Sequence, residues 1–228
     1  MSGESTEEYD VWPTAALWDA GIRLGRRLRL PPLPLRPVSL GMRLAGPLFR
    51  VRHTEGVVSI FEGLDAAREG DVLFIDNEAR VDEACVGDLV AIEARLAGMA
   101  GLVVWGCHRD TDELAAIGLP VFSLGPCPSS PTQHPAVEDA AEQLFPFEAG
   151  DIAVGDSDGL VVVPAKAYSE VVDVARVIAE AEQRQADEAR RGLSLREQLG
   201  WAEFKKRRQA DSSYTFRAHL AREGGALE

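Results

Sequence analysis

The sequence has little positive charge for its length. Its 228 residues include 24 Lys and Arg against 37 Asp and Glu, a formal net charge of −13 at pH 7. Binding to the nucleic-acid phosphate backbone, or to anionic lipid, requires clustered cations. The composition therefore argues against nucleic acid as a main partner and against docking on an acidic membrane surface. The basic run KKRR at 205–208 is expected to be the solvated face of a helix.

Long apolar runs and paired cysteines are also missing. No stretch approaches the ~18 apolar residues that a membrane span needs, and the first ten residues, MSGESTEEYD, do not resemble a secretory signal. The three cysteines, Cys85, Cys107 and Cys127, are odd in number and show no CxxC spacing. We therefore expect a cytoplasmic protein with free thiols.

Several common catalytic motifs are absent. The chain contains no GxGxxG, GxxxxGK or HExxH, which removes the simplest signals for dinucleotide binding, P-loop phosphoryl transfer and zinc proteases. The four histidines, His53, His108, His134 and His219, are spread out without ligand spacing. Asp156-Ser157-Asp158-Gly159 lacks the closing glutamate of a calcium loop, so a turn is expected there.

The pattern that is present alternates between strands and helices, which predicts an α/β domain with at least partly parallel pairing. In the helix predicted for GDLVAIEARLAGMAG, one apolar stripe comprises Leu89, Ile92, Leu96 and Met99. The predicted elements are helix 14–24, an extended or looped segment 31–37, strand 43–53, helix 59–70, strand 71–76, helix 87–101, strand 102–106, helix 113–118, strand 119–125, a loop at 127–135, two strands within 150–164, and helix 167–192.

Two short segments carry the chemistry. VGDLVA at 86–91 places a Gly-Asp pair at a predicted helix N-terminus, where free backbone N–H groups favour a carboxylate or phosphate. HRDTDE at 108–113 follows the next strand, and ligands of open α/β sheets bind beyond the carboxyl ends of strands. Because a strand–helix–strand unit brings both segments to one sheet edge, Asp88, Arg109 and Asp110 are expected to converge. Two carboxylates suit Mg²⁺, and an arginine offers a fork for a substrate carboxylate or enolate oxygen.

Each of these residues also has a purely structural interpretation. Asp88 is a potential helix cap, Arg109-Asp110 a potential solvated pair, and Glu113 is favoured by the helix dipole in a first turn. His108 is more often a structural or rim residue than a catalytic one. Cys107 is expected to be a small hydrophobe at a strand end. For Asp88, Arg109 and Asp110 the residues alone support the structural and the site interpretation about equally.

The spacing resembles the regulator of ribonuclease activity A family. Its signature is an Asp, twenty residues, Arg-Asp, two residues and an acidic residue, which Asp88, Arg109-Asp110 and Glu113 reproduce. Flanking blocks such as EGDVLFID at 69–76 and GDSDGLVVVP at 155–164 also look like the family. The resemblance covers roughly residues 14–190. Cys107 and His108 depart from it, since smaller or aliphatic residues are common at those positions.

The resemblance implies a role for each site residue. Asp110 would bind Mg²⁺ or Mn²⁺ directly, and Asp88 would bind it through a water. Arg109 would contact the substrate, and the backbone of Gly87, Asp88, Leu89 and Val90 would hold its pyruvyl carboxylate. Glu113 would orient metal waters or Arg109. A neighbouring subunit would add one acidic residue from its C-terminal region, for which the candidates are Glu182, Glu188, Glu197 and Glu203.

The resemblance also implies a fold and an activity. The implied fold is a three-layer α/β/β sandwich of the swivelling phosphohistidine type over residues 1–190, with a helical tail over 191–228, assembled as a homotrimer or a dimer of trimers. A capping box, Ser194 with Glu197, predicts a helix start in that tail. The implied activity is metal-dependent pyruvate aldolase, cleaving a 4-hydroxy-2-oxo acid, with oxaloacetate decarboxylase activity. The alternative is a non-catalytic regulator that binds a ribonuclease or another enzyme.

Overall fold

The central feature of the fold is one seven-stranded mixed sheet. The computed structural model describes residues 9–131 and 145–223. Hydrogen bonding orders the strands β1-β5-β4-β3-β2-β6-β7. Neighbouring strands from β2 to β5 are parallel, whereas β1, β6 and β7 pair in antiparallel fashion. The strands are β1 (Arg36–Pro37), β2 (Leu44–Arg52), β3 (Val72–Val86), β4 (Gly101–His108), β5 (Val121–Ser123), β6 (Ile152–Asp156) and β7 (Gly159–Val163).

Helices connect the parallel strands, as the alternating pattern predicts. Helix α2 joins β2 to β3, α3 joins β3 to β4, and α4 joins β4 to β5. The helices are α1 (Thr14–Leu24), α2 (Val57–Ala66), α3 (Asp88–Leu96), α4 (Thr111–Ile117), α5 (Tyr168–Arg190), α6 (Leu195–Gln198), α7 (Trp201–Ala210) and α8 (Phe216–Glu223). No helix in the described part of the chain is long and apolar enough to cross a membrane.

The sheet bends at β2 and nearly closes on itself. Residues 44–47 of β2 pair with β6, and residues 48–52 pair with β3. A core containing Phe74, Trp105, Phe122 and Leu160 fills the inside of this bend. The edges approach each other where Arg36 of β1 donates to the carbonyl oxygen of Asp158, in the turn between β6 and β7. The fold is therefore mixed α/β with a nearly closed sheet, and the expected sandwich of phosphohistidine type is not confirmed.

Two further cores pack helices on the outside of the sheet. One lies between the parallel strands and helices α2 to α4 and includes Ile60, Leu73, Val104 and Leu114. The other packs α1 and α5 on β6 and β7, with Val171, Ala175 and Ile178 buried along α5. The sequence predicts one apolar stripe of Val171, Val174, Ala175 and Ile178 on this helix, and all of them are buried except Val174, which is partly buried.

The apolar stripe predicted for α3 is wrong. Leu89 and Leu96 are 72% and 76% exposed, and the helix buries Ala91 and Ala94 instead. Met99 is buried, but it lies beyond the end of the helix. Alanine has no side chain beyond Cβ, so this face allows the helix backbone to approach the sheet closely.

Several predicted boundaries also shift. Strand 71–76 is the first part of β3, which runs on to Val86 with register shifts against β4. Helix 59–70 is observed as Val57–Ala66, and Gly70, at φ +88°, lies in the turn before β3. In the loop predicted at 127–135, residues 132–135, including His134, lie outside the described residues.

Within the described residues, the C-terminal tail contains helices α6, α7 and α8. Ser194 and Glu197 form the predicted capping box at the start of α6. Aromatic rings then hold α7 and α8 together, with Phe204 and Phe216 4.9 Å apart between ring centroids. His219 is fully buried and donates from Nε2 to the carbonyl oxygen of Leu199 at 2.9 Å.

Candidate functional site

The two segments singled out in the sequence meet at one edge of the sheet. Strand β3 ends at Val86 and β4 ends at His108, and these two residues are register partners in the parallel pair. The Arg109 amide donates to the carbonyl oxygen of Val86 at 2.9 Å, which joins the two strand ends. The start of α3 and the Arg109-Asp110 turn are therefore adjacent, as the strand–helix–strand pattern predicts.

Asp110 adopts an uncommon backbone conformation at this junction. Its φ is 57° and its ψ is 48°, the left-handed region that non-glycine residues rarely occupy. The carboxylate does not cap α4. Instead, Asp110 Oδ2 lies 3.4 Å from the backbone nitrogen of Asp88 and 3.4 Å from Nε of Arg109. The left-handed turn thus directs a carboxylate at the first amide of α3.

Gly87 is needed for this close approach. A Cβ atom built at Gly87 would collide with Asp110 Oδ2 and would lie 3.2 Å from Nε of Arg109. The φ of Gly87 is −135°, so the backbone itself is open to any residue. The requirement for glycine comes from the neighbouring side chains.

The N-terminus of α3 leaves its first amides outside the helical ladder. The Ala91 amide makes the first bond, to the Gly87 carbonyl oxygen at 3.2 Å, so the amides of Asp88, Leu89 and Val90 precede it. Asp88 Oδ1 accepts from the Leu89 amide at 2.7 Å. The Asp88 carboxylate therefore already occupies one of the amides that could bind an anion at this helix terminus.

Arg109 faces a cavity beside a loop that sequence analysis did not connect with the site. The cavity measures about 320 Å³ and is lined by Arg109, Asp110, Thr111, Pro126, Cys127 and Pro128. Arg109 Nη1 donates to Ser130 Oγ at 2.8 Å, and the guanidinium remains partly exposed. The only sequence signal for this contact was the Pro/Ser-rich composition of 127–135, which indicates a loop but not its position.

His108 is a structural neighbour of the site and does not lie at its rim. It is 3% exposed and its ring nitrogens contact Ser123 and Thr111. Burial lowers the pKa of its imidazole, with Asp110 opposing that shift. The neutral ring is therefore the favoured form. Cys107 is buried at the end of β4, where a small hydrophobe was expected.

The remaining predicted acidic residues are exposed or have other partners. Glu113 is exposed on the first turn of α4. Among the candidates from the C-terminal region, Glu188 pairs with Arg191 and Glu203 pairs with Arg207. Glu197 is part of the capping box at the start of α6. Glu182 is exposed on α5. Their suggested roles toward a metal or a neighbouring subunit stay predictions.

Within residues 9–131 and 145–223, no group of three or more His, Cys, Asp and Glu side chains is placed to hold a metal ion. Asp88 and Asp110 are the acidic residues at the starts of α3 and α4, and Asp112 and Glu113 are exposed on the first turn of α4. An ion bound there would need most of its ligands from water or from a ligand.

Comparison with known proteins identifies the family. The family model described as RraA-like, Aldolase/RraA, matches residues 14–162, more than half of the chain. The chain belongs to the RraA-like family. The matched region contains every predicted site residue from Gly87 to Glu113, while the tail helices lie beyond it.

Individual RraA-like relatives differ in what their names state. An uncharacterized protein of Methanocaldococcus jannaschii is 32% identical over 125 residues, which span 54% of this chain and 60% of that protein. A Halalkalibacterium halodurans protein, provisionally named a 4-hydroxy-4-methyl-2-oxoglutarate aldolase, is 28% identical over 71% of this chain and 76% of its own length. The structure of Streptomyces coelicolor RraAS2, titled an unusual member of the RNase ES inhibitor RraA family, is 26% identical with a TM-score of 0.62. The match covers 84% of this chain and 98% of the RraAS2 chain.

Proposed function

We propose that this protein is a divalent-metal-dependent pyruvate aldolase that also decarboxylates oxaloacetate. The observation that carries the proposal is the meeting of Asp110, Arg109 and the α3 N-terminus at one sheet edge, where Arg109 and Asp110 line an accessible cavity. An enolate leaving group is anionic, and cations and amide donors aimed at developing charge are the usual means of stabilising it. The aldolase name of the H. halodurans relative supports the same chemistry.

The residues present fit a hard divalent cation. Mg²⁺ commonly binds proteins through one or two carboxylates and keeps several waters, so the pair of Asp110 and Asp88 meets the protein's share. Asp110 would hold the ion directly and Asp88 through a water, with Glu113 orienting such waters. When bound, Mg²⁺ or Mn²⁺ would polarise the 2-oxo oxygen of the substrate as a Lewis acid.

The chain's own residues would then bind and orient a small 2-oxo acid. The amides of Gly87, Asp88, Leu89 and Val90 would hold the substrate carboxylate, which would replace Asp88 Oδ1 at the Leu89 amide. Arg109 would face the 2-oxo oxygen. A water in the site would take the C4 hydroxyl proton as the C4 carbonyl forms, and cleavage of the C3–C4 bond would leave its electron pair on pyruvate as the enolate. Arg109 would stabilise the enolate charge until C3 is protonated. Loss of CO₂ from oxaloacetate yields the same enolate, so one set of residues would serve both reactions.

The test is pyruvate release from 4-hydroxy-4-methyl-2-oxoglutarate and from oxaloacetate, with Mg²⁺ and with EDTA. We expect metal-dependent release, and a loss of at least ~100-fold in kcat for Arg109→Ala and for Asp110→Ala. Arg176→Ala, on the exposed surface of α5, is the matched control and should retain wild-type turnover. Near-wild-type rates for either site variant would contradict the mechanism.

A second candidate is a non-catalytic regulator that binds a ribonuclease. The structural likeness to RraAS2 favours it, and a net charge of −13 suits a basic partner segment. Under this hypothesis, a purified ribonuclease would be bound and inhibited equally by the wild type and by Arg109→Ala. Binding without any metal-dependent pyruvate release would establish the regulator and exclude the aldolase.

We also propose that the protein assembles as a homotrimer or a dimer of trimers. Exposed apolar side chains on the neighbouring helices α2 and α3 support an assembly that covers them, because such side chains are costly to leave in water. These residues are Val57, Val58, Phe61, Leu89, Ile92 and Leu96. One of Glu182, Glu188, Glu197 and Glu203 would then reach a neighbouring subunit's site.

A further inference from the structure

A buried imidazole spans the turn that carries the two central site residues. His108, the last residue of β4, precedes Arg109-Asp110, and Thr111, the first residue of α4, follows them. His108 Nε2 lies 3.1 Å from Thr111 Oγ1. This side-chain contact therefore closes a bridge over Arg109 and Asp110.

The same ring is anchored to the neighbouring strand. His108 Nδ1 lies 2.6 Å from Oγ of Ser123, the last residue of β5. The Gly125 amide donates to Ser123 Oγ at 3.1 Å, which leaves the Ser123 hydroxyl proton available for Nδ1. Ser123 Oγ also keeps a second lone pair, and Thr111 Oγ1 can donate or accept, so both contacts are satisfied in either ring tautomer. Both ring nitrogens are satisfied in a buried position, so the ring has one preferred orientation.

The turn beneath this bridge needs support. Asp110 occupies the left-handed region, which persists in a non-glycine residue when surrounding contacts determine it. Backbone bonds hold both sides of the turn: Arg109 donates to Val86, and Leu114 donates to the Asp110 carbonyl oxygen at 2.9 Å. The contact of His108 with Thr111 adds a side-chain link between the two ends.

We propose that His108 is a positioning residue that holds the Arg109–Asp110 turn through its hydrogen bond to Thr111. The inference rests on the proposed metal-dependent function, because its main consequence is the direction of the Asp110 carboxylate. Loss of a hydrogen-bond partner that supports a metal ligand typically costs about 10- to 100-fold in metal affinity.

Three substitutions separate the two ring contacts. Gln reaches the position of Nε2 and can still bond Thr111, Asn reaches only the position of Nδ1 and can bond Ser123, and Leu bonds neither. Mn²⁺ affinity, measured from the electron paramagnetic resonance signal of free Mn²⁺, is the readout independent of turnover. We expect His108→Leu and His108→Asn to lose about 10- to 100-fold in affinity, and His108→Gln to stay near the wild type.

A double-mutant cycle with Thr111→Val covers the case in which His108→Leu does not fold. Thr111→Val removes the partner oxygen at nearly constant volume, and its loss of Mn²⁺ affinity should not add to that of His108→Asn. Additive losses, equal losses in all three His108 variants, or unchanged affinity in all of them would overturn the proposal.

Amide hydrogen exchange at Leu114 tests the positioning role of His108 separately from the proposed function, because the measurement needs no bound metal. Its amide bonds Asp110, so exchange should accelerate in His108→Asn and His108→Leu but not in His108→Gln, with Val103 in mid-β4 as the unchanged reference. If the wild type binds no Mn²⁺, the metal-dependent function fails. The exchange pattern alone then decides the positioning role, and equal exchange in all variants would refute it.

Discussion

At the scale of single residues, the site depends on how closely Gly87 and Asp110 approach each other. The sequence predicted that Asp88, Arg109 and Asp110 would converge, because two strand ends of a parallel pair share an edge. It did not predict the left-handed turn at Asp110, or the bond from Arg109 to Ser130. The contacts of Arg109 with Ser130, of His108 with Ser123 and of Asp110 with the Asp88 amide join residues that only the folded chain brings together.

Gly87→Ala should displace the Asp110 carboxylate with little loss of stability. The added Cβ collides with Asp110 Oδ2, whereas the φ of −135° suits alanine. Replacing glycine at a compatible φ otherwise stabilises a protein by about 0.4–1 kcal/mol. We expect weaker Mn²⁺ binding and a nearly unchanged Tm in thermal unfolding. Wild-type Mn²⁺ affinity in this variant would show that Asp110 Oδ2 does not need its observed position.

Asp76 offers a pH-dependent prediction away from the site. Its carboxyl is buried, accepts from the Glu78 amide at 3.2 Å, and lies 3.7 Å from Nη1 of Arg50. Burial raises the pKa of Asp76 despite these contacts, so desolvation outweighs the attraction to Arg50. A pKa raised in the folded state gives stability that is present at low pH and is lost as pH rises above about 4.

The free energy of unfolding of Asp76→Asn, relative to that of the wild type, should therefore increase as the pH rises from below about 4 toward neutrality. The amide retains an oxygen for the Glu78 amide but has no charge to desolvate. Urea unfolding of both proteins across this range measures the difference. A difference independent of pH, or one that moves in favour of the wild type, would contradict the dominance of burial.

At the scale of elements, α3 shows why helical periodicity alone can select the wrong face. Leu89, Ile92 and Leu96 follow the correct spacing, yet Ala91 and Ala94 are the residues buried against the sheet. Strand β3 is a second example. Its latter part contains buried Glu83 and positive φ values at Glu78 and Ala79, which interrupt the alternation that would have predicted a 15-residue strand.

The packing of α3 leads to a direct test on one helix. Ala94→Leu should destabilise the protein by about 1–3 kcal/mol, because added methylenes in a closely packed contact force neighbouring atoms apart. Ala97→Leu, the same substitution at the exposed C-terminus of α3, should change stability by less than about 0.5 kcal/mol. Denaturant midpoints of the two variants provide the comparison, and equal effects would refute the buried alanine face.

At the scale of the whole molecule, charge and exposed apolar surface indicate different properties. The net charge of −13 favours solubility and disfavours anionic partners. The apolar side chains exposed on α2 and α3 favour an assembly that covers them, as proposed for the trimer. Leu89, Ile92 and Leu96, which the periodicity placed on the buried face of α3, thus support an interface on its exposed face.

Leu96→Glu is expected to shift the protein toward monomer without unfolding it. The side chain is 76% exposed in the single chain, so a charge there is tolerated by the fold but costly within an apolar interface. Light scattering coupled to size-exclusion chromatography gives the mass, and circular dichroism checks the fold. Glu93→Gln, on an exposed position of the same helix, is the control. An assembly unchanged by Leu96→Glu would place the interface elsewhere.

The sequence by itself determined the α/β class, the order of helices and strands, and the candidate residues Asp88, Arg109 and Asp110. These follow from local patterns, since apolar periodicity and strand–helix order depend on neighbours along the chain. The tertiary structure decided which face of α3 is buried, how far β3 extends, and which groups support the site. Contacts such as His108 with Ser123 and Arg109 with Ser130 join separate loops and strands. Such contacts exist only after the sheet has formed, because the free energy that holds them comes from packing across the whole fold.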